Sequence, residues 1–131
     1  VLFRSVAVPP AELHQLLSNL VTNARDAMDD TGRIDIRTYP EVAQAPDTSV
    51  PAWHFVEVAD TGSGMSEEVL RRVFDQYFTT KGDRGTGLGL PSVHRIVSRH
   101  GGTIRIDSQV GAGSTFTIGF PATQSVAALS R

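Results

Sequence analysis

Thr103–Phe120 reads TIRIDSQVGAGSTFTIGF. Two runs in it alternate apolar and polar residues, Thr103–Asp107 and Ser114–Phe120, and Gly111-Ala112-Gly113 stands between them. This pattern predicts a β-hairpin with Ile104, Ile106, Phe116, Ile118 and Phe120 on its inner face. Immediately upstream, Leu90–His100 predicts a helix, with Pro91 tolerated in the first turn and Gly101-Gly102 closing it. Ser66–Phe74 predicts a short helix with Ser66 as N-cap and Glu67-Glu68 in the first turn. Trp53–Ala59 and the alternating Arg33–Arg37 predict two more strands.

Ala11–Met28 carries Leu13, Leu16, Leu17, Leu20, Ala24 and Ala27 on one face at helical spacing. Pro9 and Pro10 precede it, and Asp29-Asp30-Thr31-Gly32 supplies the turn that ends it. Pro40–Pro51, with three prolines, and the polar Asp75–Arg84 read as loops. The resulting order is helix, strand, strand, helix, loop, helix, strand, strand. It lacks β-α-β alternation, so the expected class is α+β, with helices on one face of a mixed, largely antiparallel sheet.

The chain has 131 residues, the size of one domain, and a formal net charge of −2. That balance argues against a broad nucleic-acid surface. No stretch approaches the ~18 consecutive apolar residues of a membrane span. The absence of cysteine excludes disulfides, thiolate zinc sites and cysteine nucleophiles. The first residues lack a signal-peptide pattern. Val1-Leu2-Phe3-Arg4-Ser5 starts without Met and matches a translated sequencing adapter, so residues 1–8 are expected to be an artificial or truncated lead. Residues 9–121 are expected to form the domain, and 122–131 a tail or linker.

Four segments carry chemistry. Asn19, Asn23 and Asp26 form a polar stripe beside the leucine face of the first helix. The amides there either cap and face solvent or offer an oxygen to a hard cation such as Mg²⁺, which takes one or two protein oxygens and completes its shell with phosphates and water. Asp60-Thr61-Gly62-Ser63-Gly64 ends a strand. It reads either as a turn or as a pocket floor where glycines let a flat ring approach and an acceptor-only carboxylate selects an N–H donor such as the amine of adenine. Gly85-Thr86-Gly87-Leu88-Gly89-Leu90 opens a helix, and its backbone N–H groups suit phosphate. No GK[ST] follows, so it is not a Walker A loop, and no strand leads directly into it as in a Rossmann turn. Phe74–Lys81 with Arg84 places two cations just before those glycines, either on a solvated loop or as phosphate ligands.

Together, in this order, the segments resemble the catalytic and ATP-binding domain of sensor histidine kinases, in the GHKL (Bergerat-fold) ATPase and kinase group. Gln15–Asp30 is similar to the N box, Asp60–Gly64 to the G1 box, Val73–Lys81 to the F box and Gly85–Leu90 to the G2 box. His100-Gly101-Gly102 and Gly113-Ser114-Thr115-Phe116 match later landmarks, so the resemblance spans roughly Pro9 to Pro121. It implies a two-layer α/β sandwich that binds Mg-ATP. Asn23 would hold Mg²⁺, Asp60 would accept from the adenine amine, Gly62 and Gly64 would line the base pocket and Thr115 would support the adenine end. Lys81 and Arg84 would reach phosphates from a lid between Asp75 and Gly87, hinged by Gly85, Gly87 and Gly89. Phe74 and Phe78 would anchor the lid or simply join the core. Asp26, Thr80, Thr86 and Leu88 would complete the ATP site.

Gln76, Tyr77 and Pro91 depart from the usual pattern around the F and G2 boxes. Four residues before the metal-binding position, where ATP-hydrolysing members carry a Glu base, stands Asn19. An amide takes no proton near neutral pH, whereas a neutral imidazole is already a nucleophile. The resemblance therefore implies phosphotransfer to a histidine, with Asn19, Asn23 and Lys81 at the catalytic end. That histidine would lie on a separate dimerisation domain of the parent protein and would serve a response regulator receiver domain. His14, His54, His94 and His100 are assigned neither as acceptor nor as metal ligand. The expected location is cytoplasmic, with no direct membrane contact, and the fragment alone is not expected to phosphorylate itself. An ATP-hydrolysing member of the group and a non-catalytic nucleotide-binding module are the alternatives.

Overall fold

A computed structural model describes residues 6–29, 31–42, 51–76, 78 and 89–122. The chain order is α1 (Pro10–Asp26), β1 (Ile34–Val42), β2 (Pro51–Asp60), α2 (Glu67–Arg72), α3 (Gly89–Arg99), β3 (Thr103–Gln109) and β4 (Gly113–Pro121). The strands form one sheet in the order β1-β2-β4-β3, and every pairing in it is antiparallel. α1 and α3 pack on one face, giving the expected α+β two-layer arrangement.

Helix α1 starts at Pro10, where the missing N–H is no loss. It buries Leu16, Leu20 and Ala24, one residue per turn on the sheet-facing stripe. α3 contributes Val93, Ile96 and Val97, while β2 and β4 contribute Val58, Phe116, Ile118 and Phe120. α3 ends in a Schellman motif. Gly102 N–H donates to Val97 O (2.9 Å), Gly101 N–H donates to Ser98 O (3.3 Å), and Gly101 takes the left-handed φ of +68° the motif requires. Ser66 caps α2 as expected, its hydroxyl accepting from Val69 N–H at 3.3 Å.

α1 and α3 run antiparallel and are joined by a polar ladder. Glu12 Oε1 accepts from Arg99 (2.9 Å) and lies 3.3 Å from His100 Nε2. Gln15 Nε2 donates to Ser92 Oγ (3.2 Å), and Asn19 Nδ2 donates to the Gly89 carbonyl (3.3 Å).

One expectation is corrected. The loop expected over Pro40–Pro51 is strand at both ends, since β1 continues through Pro40 to Val42 and β2 begins at Pro51. β1 is an edge strand with β2 as its sheet neighbour, so a residue without N–H is tolerated, and a register shift at Glu41/Val42 marks its end. Val8 lies in the core, and Val6 bridges Ala122.

Candidate nucleotide site

β2 delivers Asp60 to the end of the sheet, 7% exposed and cross-strand from Ser114 of β4. A buried carboxylate must be compensated by donors. Here Oδ1 takes both, from Gly62 N–H (2.8 Å) and Ser114 N–H (3.3 Å). No donor among the described residues reaches Oδ2, so the acceptor capacity of that oxygen is left for a ligand.

The segment after Asp60 is clamped on two sides. Ser63 N–H donates to Ala27 O at the C-terminus of α1 (2.9 Å), meeting a carbonyl that the helix itself leaves without a partner. Gly111 N–H of the β3–β4 hairpin donates to Ser63 O (2.7 Å). A side chain at Gly62 would collide with Ala27 O, and one at Gly64, where φ is +71°, would collide with Gln109 O. Glycine is therefore demanded at both positions by the protein's own backbone packing, a different reason from the approach of a flat ring expected from sequence.

The α1 stripe divides. Asn19 is tied to Gly89 at the first turn of α3. Asn23 is half-buried and makes no side-chain hydrogen bond among the described residues, so its amide oxygen is available to a hard cation. Asp26 lies 3.8 Å from Arg25 at the helix end. Among the described residues, nothing stands within 4 Å of where a Cβ on Gly89 would lie. Phe74 packs against His94 of α3 (ring centroids 5.2 Å apart), and the Arg72 guanidinium lies 4.4 Å over the Phe78 ring. Both rings thus hold the segment after α2 against its own scaffold. Thr80, Lys81, Arg84, Gly85, Thr86, Gly87 and Leu88 lie outside the described residues.

Thr115 and Ser114 stand on opposite faces of β4. Side chains alternate across a strand, and the partner of Thr115 in β2 is Ala59, on the solvent face. Ser114, 6% exposed, shares the inner face with Asp60 and Phe116. Ser108 of β3, which the sequence does not single out, lies beside Ser114: its hydroxyl accepts from Met65 N–H (2.8 Å) and stands 2.7 Å from Ser114 Oγ.

The resolved proton-affinity shifts fall on the opposite face of the sheet. The Tyr39 hydroxyl donates to Glu57 (2.7 Å), which holds the Glu57 carboxyl below its ordinary value, with Arg37 acting in the same direction and burial opposing it. The same bond raises the Tyr39 phenol. That cluster is separate from Asp60. Among the described residues, no helix is long and apolar enough to cross a membrane.

The sequence pattern of the family described as histidine kinase-, DNA gyrase B- and HSP90-like ATPase matches residues 9–124. A sensor kinase, CckA, from Brucella abortus is 42% identical over 117 residues, covering 84% of this chain and 12% of that protein. The sensor histidine kinase ZraS of Escherichia coli K12 is 40% identical over 116 residues, covering 88% of this chain and 23% of that protein. The chain thus spans less than a quarter of either relative. The solved catalytic domain of histidine kinase ThkA superposes with a TM-score of 0.72 at 32% identity, covering 91% of this chain and 73% of that one.

Proposed function

The chain belongs to the histidine kinase-, DNA gyrase B- and HSP90-like ATPase family, and from that premise we propose that it binds Mg-ATP and presents the γ-phosphoryl group to a histidine on a separate dimerisation domain of its parent protein. The observation that carries this reading is the Asp60 carboxylate, with one oxygen anchored by two backbone N–H groups and the other without a donor among the described residues. Such a group selects a ligand edge that donates, as the amine of adenine does.

Asn23 is the residue suited to Mg²⁺, through an amide oxygen with no hydrogen-bond partner among the described residues. The ion would supply charge neutralisation at the phosphates. Asn19, bonded to Gly89, contributes no base, which fits an acceptor that needs none. Catalysis is then mainly positioning and charge stabilisation, with Lys81 and Arg84 as the cations nearest in sequence to the glycine-rich segment. A response regulator would receive the phosphoryl group afterwards, in the cytoplasm.

The test is to join the chain to the dimerisation domain of its parent and supply γ-labelled ATP with Mg²⁺. Acid-labile phosphohistidine on that domain is the expected product. Acid-stable phosphoserine, or rapid phosphate release by the chain alone, would contradict the proposal.

A further inference from the structure

We propose that Ser108 sets the base selectivity of the site, by committing the hydroxyl proton of Ser114 so that the corner beside Asp60 offers acceptors only. The inference rests on the nucleotide-binding reading above and extends it to a positioning residue that touches no nucleotide.

A serine hydroxyl has one proton and two lone pairs. Ser108 Oγ has three partners. Met65 N–H, at 2.8 Å, can only donate to it. The Gly113 carbonyl, at 3.3 Å, can only accept from it. The third is Ser114 Oγ, at 2.7 Å, where either atom could donate. One assignment satisfies all three. Ser108 gives its proton to Gly113 O and accepts from Met65, which leaves one lone pair, and that lone pair takes the Ser114 proton.

Ser114 then turns only lone pairs outward. It sits on the same face as Asp60 and bonds to it through its backbone N–H. An acceptor-only pair admits a 6-amino purine and rejects a 6-oxo purine, whose oxygen would face lone pairs. Without Ser108, the Ser114 proton is released and can turn toward a 6-oxo group.

The experiment measures dissociation constants of ATP and inosine triphosphate by calorimetry for the wild-type chain, Ser108→Ala, Ser108→Thr, Ser114→Ala and the double alanine variant. The wild type is expected to prefer ATP. Ser108→Ala lowers that preference about threefold to tenfold, the range of one hydrogen bond, partly through tighter inosine triphosphate binding. Ser108→Thr keeps the wild-type preference, and the double variant matches Ser114→Ala because Ser108 acts through Ser114. A wild-type preference retained in Ser108→Ala overturns the proposal, as does a double variant whose effects simply add. Should Ser108→Ala fail to fold, an unchanged preference in Ser114→Ala overturns it alone. A wild-type chain that binds neither nucleotide instead overturns the nucleotide reading itself.

Discussion

Asn19 donates its side-chain N–H to the carbonyl of Gly89, 3.3 Å away and seventy residues later in the chain. The bond locks the polar stripe of α1 to the first turn of α3, so the two elements that would flank a nucleotide move as one body. Asn19→Ala is expected to cost about 1 kcal/mol in denaturant unfolding. Asn19→Asp is expected to cost more, because a carboxylate facing a carbonyl has nothing to donate. Equal midpoints for all three proteins would show that the bond contributes nothing.

Gly64 and Gly89 make a contrasting pair. Gly64→Ala combines a left-handed φ with a collision against Gln109 O, and a fall in thermal midpoint equivalent to more than about 1 kcal/mol is expected. Gly89→Ala meets no atom of the described residues at a helical position and is expected to stabilise by up to ~1 kcal/mol. Thermal scans of the two variants check both signs.

Asn23→Ala addresses the metal. Calorimetric ATP titrations with Mg²⁺ and with excess EDTA are expected to differ for the wild-type chain. That difference is expected to shrink in the variant, because the amide oxygen that suits Mg²⁺ is gone. A variant that keeps the full metal dependence would move the cation elsewhere.

Glu57 gives a pH dependence. Its carboxyl is held below the ordinary glutamate value in the fold, so it binds protons less readily there than in the unfolded chain. Its contribution to stability is complete above the ordinary value and is lost as pH falls through the lowered one. The group is partly exposed, so the effect is small. Urea midpoints measured down through the acidic range should fall less steeply for Glu57→Gln than for the wild type.

Much of the fold is legible in local pattern. The alternation of Thr103–Asp107 and Ser114–Phe120, the leucine stripe of α1 and the cap at Ser66 each reappear as an element of the expected kind. The extension of β1 through Pro40 was not legible, because whether a strand is an edge depends on the sheet order. Asp60 and Asn23 stand out in the sequence by residue type and spacing, whereas their bonding is visible only in the fold. Ser114 was recoverable, since strand parity with Phe116 already places it inward and Thr115 outward. Ser108 was not, because its role depends on the cross-strand register that sets it opposite Ser114 and on the docking of Met65 against it. The glycines after Asp60 were legible by position, but their reason was not. Only the assembled structure shows α1 and the hairpin closing on them.

The most direct test of the account is a calorimetric titration of Mg-ATP into the wild-type chain and into Asp60→Asn. An asparagine oxygen can still accept from Gly62 and Ser114, so the local backbone stays held, but its NH₂ replaces the open acceptor with a donor. The wild type is predicted to bind, and the variant to bind at least about tenfold more weakly. Equal affinity in the two proteins would contradict the account.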